Sequence, residues 1–356
     1  MTISSFTFIV TDDCNYRCIY CPQKKEKKYI NLQLVKKTSD FVYPLLTDRS
    51  TIGFYGGEPL LCFDEIRNTV NYLKQKSPSK KEIGFSITTN GSLLDKKKFE
   101  FLHQNRFSVI LSFDGRAHDV SRKSGDFELM VANIKRSREY SNINLELNSV
   151  FTPGTVKYLA DSIGLFLELG VNEIRYVLST IEEWKNEALV EYEDELLKMV
   201  DLLVSNYKTN RSIPVSNLRA PGTGNRLFAC NAGKDRMAVT PDGKLWGCHA
   251  FHDYFKDKET ASDYPGYCFG DLDYFIEHYE TLYPRVLSNY SRLRTDNFQC
   301  GDSYCFLCSD IFSCRVCPVN AAYITSELGK VPGWVCKITK IQAQARDEFH
   351  KRIGEV

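Results

Sequence analysis

The stretch Cys14-Asn15-Tyr16-Arg17-Cys18-Ile19-Tyr20-Cys21 sets three cysteines at C-x3-C-x2-C spacing, directly after the apolar run Phe6-Thr7-Phe8-Ile9-Val10. That run reads as a short buried strand, so the cysteines stand on the loop that leaves it. Three thiolates on one tight loop can hold three irons of a cube and leave the fourth iron without a protein ligand. An open iron is a place for chemistry, whereas four closed ligands make an electron carrier or a strut. Structural zinc asks for four N/S ligands, usually in paired C-x2-C knuckles, and no partner pair lies nearby in the sequence. The local reading is a catalytic iron–sulfur site.

A second motif, Gly56-Gly57-Glu58-Pro59, follows the apolar run Ile52-Gly53-Phe54-Tyr55. Two glycines let backbone carbonyls approach a ligand closely, and a carboxylate pairs with an ammonium. Alone the motif is more often a turn than a site. Its place about 35 residues after the cysteine loop, at the end of a predicted strand, strengthens it.

The 356 residues can bury a large core and are expected to form two domains. A net charge of +1 gives no reason to expect a nucleic-acid or membrane partner. No apolar stretch has the length of a membrane span, and no basic-then-apolar signal opens the chain. Thirteen cysteines clustered at short spacings in a long chain favour metal binding in a reducing cytoplasm over disulfides. The lysine run Lys24-Lys25-Glu26-Lys27-Lys28 reads as solvated surface, and Cys62, among Leu60, Leu61 and Phe63, as core.

Apolar runs predict strands at 6–10, 51–55, 83–88, 108–112, 144–151 and 173–178. Helical patterns fall between them at about 31–46, 62–76, 93–105, 128–140 and 155–169, the last capped by Gly170. Strand–helix alternation argues for a parallel sheet covered by helices. A charged helix at about 183–208 and a segment with Pro214, Pro221, Gly222 and Gly224 mark a boundary. Residues 338–353 read as an amphipathic helix packing back on the body.

The cysteine loop, with Tyr20 just before its third cysteine, and the Gly56–Pro59 motif resemble the radical S-adenosylmethionine enzymes. The resemblance implies an α/β fold, a partial (β/α)6 TIM barrel over residues 1–182. The reactive loops then sit at the C-terminal ends of the strands, where Cys14–Cys21, Gly56–Glu58, Asn90 and Asp114 fall. It also implies a [4Fe-4S] cluster on Cys14, Cys18 and Cys21 that binds S-adenosyl-L-methionine. Cofactor contacts are expected from Tyr20, Gly56, Gly57, Glu58 (to the methionine amino group), Asn90, Ser112, Arg122 and Asn148. Ser112 and Arg122 would meet the ribose or the carboxylate; the alternative is that Asp114-Gly115 turns the chain and Arg122 lies on the surface. A polar Asn148 in an apolar strand needs a partner, and a bound cofactor is a natural one.

Cys230, Gly243-x4-Cys248, Cys305-x2-Cys308-x5-Cys314-x2-Cys317 and Cys336 resemble the SPASM extension, a C-terminal cysteine-rich domain carrying two auxiliary [4Fe-4S] clusters, here at 226–336 between a helix and linker (183–225) and a terminal helix (337–356). By that resemblance Cys305, Cys308, Cys314 and Cys336 hold one cluster. Cys230, Cys248 and Cys317 hold the other, whose fourth ligand is Cys268, Cys300, substrate or nothing. Only Arg315 and Val316 separate Cys314 from Cys317, one residue short of the family spacing. Zinc knuckles are the alternative for these pairs.

His249 follows Cys248 where sulfatase-maturing relatives carry an aspartate, which argues against that activity and towards peptide-modifying SPASM enzymes. His249 and Asp114 are the candidate catalytic residues, with a purely structural role as the alternative for His249. The expected function is a cytoplasmic radical SAM oxidoreductase, a maturase that oxidises or cross-links a side chain of a ribosomally made precursor peptide. Because the first strand starts within about six residues, a separate leader-recognition protein or direct groove binding of the peptide is expected, together with an electron donor such as flavodoxin or ferredoxin. The rivals are a dehydrogenase or epimerase of a small molecule such as a sugar or alcohol, and a non-catalytic iron–sulfur or zinc protein.

Overall fold

The computed structural model describes residues 1–76, 81–219, 227–258 and 260–354. The first half alternates strand and helix: β1 (Ile3–Thr11), β2 (Leu46–Gly56), β3 (Glu82–Thr89), β4 (Ser108–Ser112), β5 (Asn144–Phe151) and β6 (Ile174–Leu178). Each is parallel to its neighbour in sequence order. Parallel pairs need crossovers, supplied by helices Leu32–Val42, Phe63–Lys76, Lys96–Gln104, Phe127–Ser137 and Leu159–Glu168.

Local chemistry sets the helix ends. Asn31 Oδ1 accepts from the Leu34 amide at 2.8 Å and Asp95 Oδ1 from the Lys98 amide at 2.8 Å, each satisfying an orphan donor of a first turn. The first helix stops at Val42, earlier than its pattern predicts, because Pro44 turns the chain through a single 3-10 turn into β2. At the end of Leu159–Glu168, Gly170 adopts φ +67° while the Val171 amide reaches back to the Phe166 carbonyl at 3.0 Å.

Side chains alternate across the strands. One face carries the core, including Phe6, Phe8, Phe54, Phe85 and Phe107, with Phe54 stacked 6.1 Å from both Phe8 and Phe107. Burial of each such ring contributes about 1.5–3 kcal/mol. On the concave face of β4–β6, Ile110, Ser112, Glu146, Asn148, Val150, Arg175 and Val177 escape full burial and line a cavity. A polar interior at this depth marks a space for a ligand rather than a packed barrel.

The cysteine-rich segment continues the same sheet. β7 (Arg236–Val239) pairs parallel to β1, and β8 (Lys244–Trp246) and β9 (Cys268–Asp271) extend it antiparallel, giving the order β6-β5-β4-β3-β2-β1-β7-β8-β9. The boundary expected at 226 is thus no break in the sheet. A second small sheet joins β10 (Gln299–Cys300), β11 (Ser303–Tyr304) and β12 (Lys330–Val331). The last helix, Gly333–Ile353, starts before the predicted residue 338 and packs on helix Asn186–Asn210, with Lys337 Nζ 3.3 Å from Asn186 Oδ1 and Arg352 Nη1 2.7 Å from Asp201 Oδ1. Of the expected linker, Pro221, Gly222 and Gly224 lie outside the described residues. Among the described residues no helix is long and apolar enough to cross a membrane.

Candidate functional site

The cysteine loop leaves β1 at the C-terminal edge of the sheet and is tied down on three sides. Towards β2, the Gly57 amide donates to the Thr11 carbonyl (2.9 Å) and the Glu58 amide to the Asp13 carbonyl (2.8 Å). A Cβ at Gly56 would lie 2.1 Å from the Thr11 oxygen, and one at Gly57 would lie 2.1 Å from the Asp13 oxygen. The two glycines therefore admit the cysteine loop itself, while both also border the cavity. Towards the C-terminal segment, Asp12 meets Lys256 Nζ at 2.8 Å and His252 Nε2 at 3.2 Å. Towards β4, the Ile19 amide donates to the Ser121 carbonyl at 2.9 Å.

Cys14, Cys18 and Cys21 open on one cavity of about 490 Å³, together with Tyr20, Gly56, Gly57, Asn90, Ser112, Arg122 and Asn148. The structure thus brings most of the expected cofactor residues to one wall. Burial pushes the Cys14 thiol up to about 11, with the neighbouring Cys21 and Glu58 charges adding to it and Lys25 and Arg17 opposing. As thiolates the three sulfurs would repel one another on this cavity, and a cationic cluster core would offset that repulsion. The donor set and the glycine-backed loop fit a cube held by three cysteines.

Glu58 departs from its expected role. Its side chain is fully buried (0% exposed) and stands behind the wall: Oε1 accepts from Thr89 Oγ1 (2.6 Å) and the Leu60 amide (3.0 Å), and Oε2 from the Asn90 amide (2.7 Å). Burial pushes its carboxyl up while these donors oppose the shift. It fastens the ends of β2 and β3 and does not present itself to an ammonium. Asn90, which it positions, gives Nδ2 to Asn15 Oδ1 at 2.9 Å.

Asp114 is corrected from catalyst to clamp. It is 0% exposed, and its Oδ1 accepts from Arg122 Nη2 (2.9 Å) and the Val150 amide (2.9 Å), while Oδ2 accepts from the Tyr20 hydroxyl (2.7 Å). Asp114 is not among the residues lining the cavity. Arg122 is only 4% exposed, which removes the surface alternative, and it lies 5.6 Å over the Tyr20 ring. Its buried Nε has no partner, an orphan donor on a residue that lines the cavity.

Lys25 is the second correction. Far from being solvated surface, its Nζ lies 3.1 Å from Cys21 Sγ, and it lines the cavity, whereas Lys24 and Lys28 do pair at the surface with Asp257 and Glu26. The opposite wall comes from the C-terminal segment: His249, Asp253, Asn320 and Tyr323. The His249 ring sits 4.1 Å from that of Tyr55, with Nδ1 3.8 Å from Cys248 Sγ. Burial opposes the imidazolium, yet the adjacent Cys248 sulfur outweighs it and pushes His249 up to about 9. Asp253 accepts from Gln23 Nε2 at 3.1 Å. Glu146 and Arg175 face each other at 3.3 Å. Tyr55, Asp253, Tyr323, Glu146 and Arg175 carry no motif; only strand alternation could have flagged Glu146 and Arg175.

The remaining cysteines fall into two groups. Cys230, Cys248 and Cys317 lie close enough that the charges of Cys248 and Cys317 both act on Cys230, whose thiol burial pushes up to about 11. Cys305, Cys308, Cys314 and Cys336 line a separate cavity of about 390 Å³. The short Cys314–Cys317 spacer still sends its two thiols to different groups. Cys300 joins the second group, so it is not the missing ligand of the first. Cys268 points its Sγ at the Leu245 carbonyl (3.8 Å), and Cys62 sits in the core at 2% exposure.

A parallel sheet with three cysteines at the end of its first strand, opening on a polar cavity, defines the radical SAM fold. The Radical SAM superfamily model matches residues 8–157, and the chain belongs to that superfamily. It is 30% identical over 243 residues to a GTP 3',8-cyclase of Clostridium acetobutylicum, covering 65% of this chain and 71% of the cyclase. It is 25% identical over 284 residues to the radical SAM cyclopropyl synthase TigE of Paramaledivibacter caminithermalis, and 24% over 266 to a cysteine-type anaerobic sulfatase-maturating enzyme of Clostridium novyi. These alignments cover 71% and 67% of this chain, and 59% of TigE and 71% of the maturating enzyme. Among solved structures, anSMEcpe with bound AdoMet superposes with TM-score 0.77 at 17% identity, covering 100% of this chain and 96% of that one. Streptococcus suis SuiB bound to precursor peptide SuiA gives TM-score 0.53 at 14% identity over 71% of this chain and 61% of SuiB. Membership implies a [4Fe-4S] cluster and S-adenosyl-L-methionine.

Proposed function

We propose that this chain is a cytoplasmic peptide-modifying radical SAM enzyme with two auxiliary [4Fe-4S] clusters, acting on a side chain of a ribosomally made peptide. When bound, the cluster and S-adenosyl-L-methionine supply a hydrogen-abstracting 5′-deoxyadenosyl radical. The observation that carries the reading is the cavity whose one wall holds Cys14, Cys18 and Cys21 and whose other wall is built by the cysteine-rich segment.

The protein's own residues position and shield. Cys14, Cys18 and Cys21 would hold the cluster, and the Asp114–Arg122–Tyr20 arrangement would orient the cofactor's carboxylate end through the free Arg122 Nε. Ser112 and Asn148, paired across β4 and β5, offer further polar contacts. His249 stands on the cavity wall, where its imidazolium, held beside Cys248, can donate a hydrogen bond to substrate. Cys230, Cys248 and Cys317 would hold the near auxiliary cluster, and the second cavity the distal one. The partners of this reading are a precursor peptide, a leader-recognition protein and a flavodoxin- or ferredoxin-type electron donor. Solved relatives bound to a precursor peptide and to the Cp18Cys peptide support a peptide substrate.

A small-molecule substrate is the second reading, favoured by the 30% identity to a GTP 3',8-cyclase. The cavity argues against a triphosphate. Its cations are Lys25 beside Cys21, Arg122 paired with Asp114, Arg175 paired with Glu146, and His249 beside Cys248. A triphosphate calls for uncommitted cations. The test is anaerobic incubation of reconstituted protein with S-adenosyl-L-methionine, reductant and peptides encoded near its gene, read by mass spectrometry. A mass change in a peptide is expected; turnover of nucleotides or sugars with inert peptides would reverse the choice.

A further inference from the structure

Five thiols, those of Cys300, Cys305, Cys308, Cys314 and Cys336, line the second cysteine cavity. An iron–sulfur cube has four corners to fill. The extra thiol is built in by strand pairing. Cys300 on β10 stands opposite Val331 on β12, and helix Gly333–Ile353 starts two residues later with Cys336 in its first turn. The antiparallel partner β11 turns the chain back, and the Cys305 amide then donates to the Phe298 carbonyl at 2.9 Å. As a result Cys300 Sγ lies 2.8 Å from Cys336 Sγ. Two thiolates that close would repel strongly in a partly buried site, so the two sulfurs address one place, not two corners.

We infer that Cys300 and Cys336 are alternative ligands to a single corner of the distal auxiliary cluster, one closing it as thiolate while the other stays a thiol and donates its S–H to the ligating sulfur. Ligation by one thiol releases one proton. Exchange forms one iron–sulfur bond as the other breaks, and the proton moves from the incoming to the outgoing sulfur, so charge and electron count do not change. The inference rests on the proposed presence of a [4Fe-4S] cluster in this cavity.

The test compares full-length reconstituted wild type, Cys300→Ala, Cys336→Ala and the double variant, each saturated with S-adenosyl-L-methionine. Iron and sulfide are counted, and pulsed EPR records coupling to isotopically labelled imidazole, which reaches iron through an open corner. Serine replacements serve wherever an alanine variant does not fold. Both single variants are expected to match wild type in iron and coupling. The double variant is expected to lose about four irons per chain or to gain coupling above wild type. A loss or gain in one single variant alone would make that cysteine a dedicated ligand and overturn the inference, as would a double variant identical to wild type. A Cys305→Ala/Cys308→Ala variant separates the levels: unchanged iron there would mean that no cluster occupies the cavity, and the underlying reading would fail first.

Discussion

Asp114 and Arg122 form the ion pair from which the cysteine loop hangs: Oδ1 of one lies 2.9 Å from Nη2 of the other, and neither side chain is more than 5% exposed. Because Asp114 also accepts from Tyr20, a carboxylate at the end of β4 fixes an aromatic ring one residue before Cys21. Asp114→Asn leaves a guanidinium buried without its counter-charge, which costs about 3–5 kcal/mol. Anaerobic urea unfolding should show that loss together with weaker S-adenosyl-L-methionine binding. A variant within about 1 kcal/mol of wild type would mean that the pair carries little of the loop's anchorage.

Gly57→Ala should strip the first cluster while sparing the fold, since the new Cβ would meet the Asp13 carbonyl and displace Cys14. Iron per chain is expected to fall by about four with the circular dichroism spectrum retained. Full iron content in this variant would show that the loop yields without losing its ligands.

Lys25 sets a positive charge against Cys21. Charge and hydrogen bonds at the sulfurs tune cluster potentials, and a cation favours the reduced, more negative cluster. Lys25→Met should therefore lower the potential of the first cluster by roughly tens of millivolts and slow its reduction. Potentiometric titration followed by EPR reads the shift; an unchanged or raised potential would remove Lys25 from this role.

Acid stability should depend on His118. Its Nδ1 accepts from the Asp114 amide at 3.4 Å, and its Nε2 faces Asp126 Oδ1 at 2.9 Å, so the neutral ring is satisfied at both nitrogens. Burial, with Arg122 nearby, pushes it down from 6.5 to about 3. As pH falls below 6.5 the unfolded chain takes the proton first, so this contribution is lost between 6.5 and about 3. His118→Gln should flatten the pH dependence of the melting temperature across that window; parallel curves for the two proteins would refute the assignment.

The strands at 108–112 and 144–151 were legible to the residue because a continuous apolar run (Val109–Leu111) marks the first, apolar–polar alternation marks the second, and turn residues bound both. β7, β8 and β9 were not, since strands of three or four residues among cysteines and aromatics leave no period to read. At the site, residues within motifs (Cys14, Cys18, Cys21, Gly56, Gly57) reached the expected cavity. Glu58 and Asp114 were misassigned because sequence shows that a carboxylate is present, not which side of a strand end it faces. Lys25 was hidden in a lysine run, and Cys300 was brought to Cys336 by a pairing between strands of two residues each.

The central claim is that Cys14, Cys18 and Cys21 hold a cluster that splits S-adenosyl-L-methionine. Its most direct test is anaerobic formation of 5′-deoxyadenosine by the dithionite-reduced protein, beside a variant with all three cysteines replaced by alanine. The account predicts release by the wild type and none by the variant, with the iron of the C-terminal cysteines retained. Equal release by both proteins, or none from a wild type carrying full iron, would contradict it.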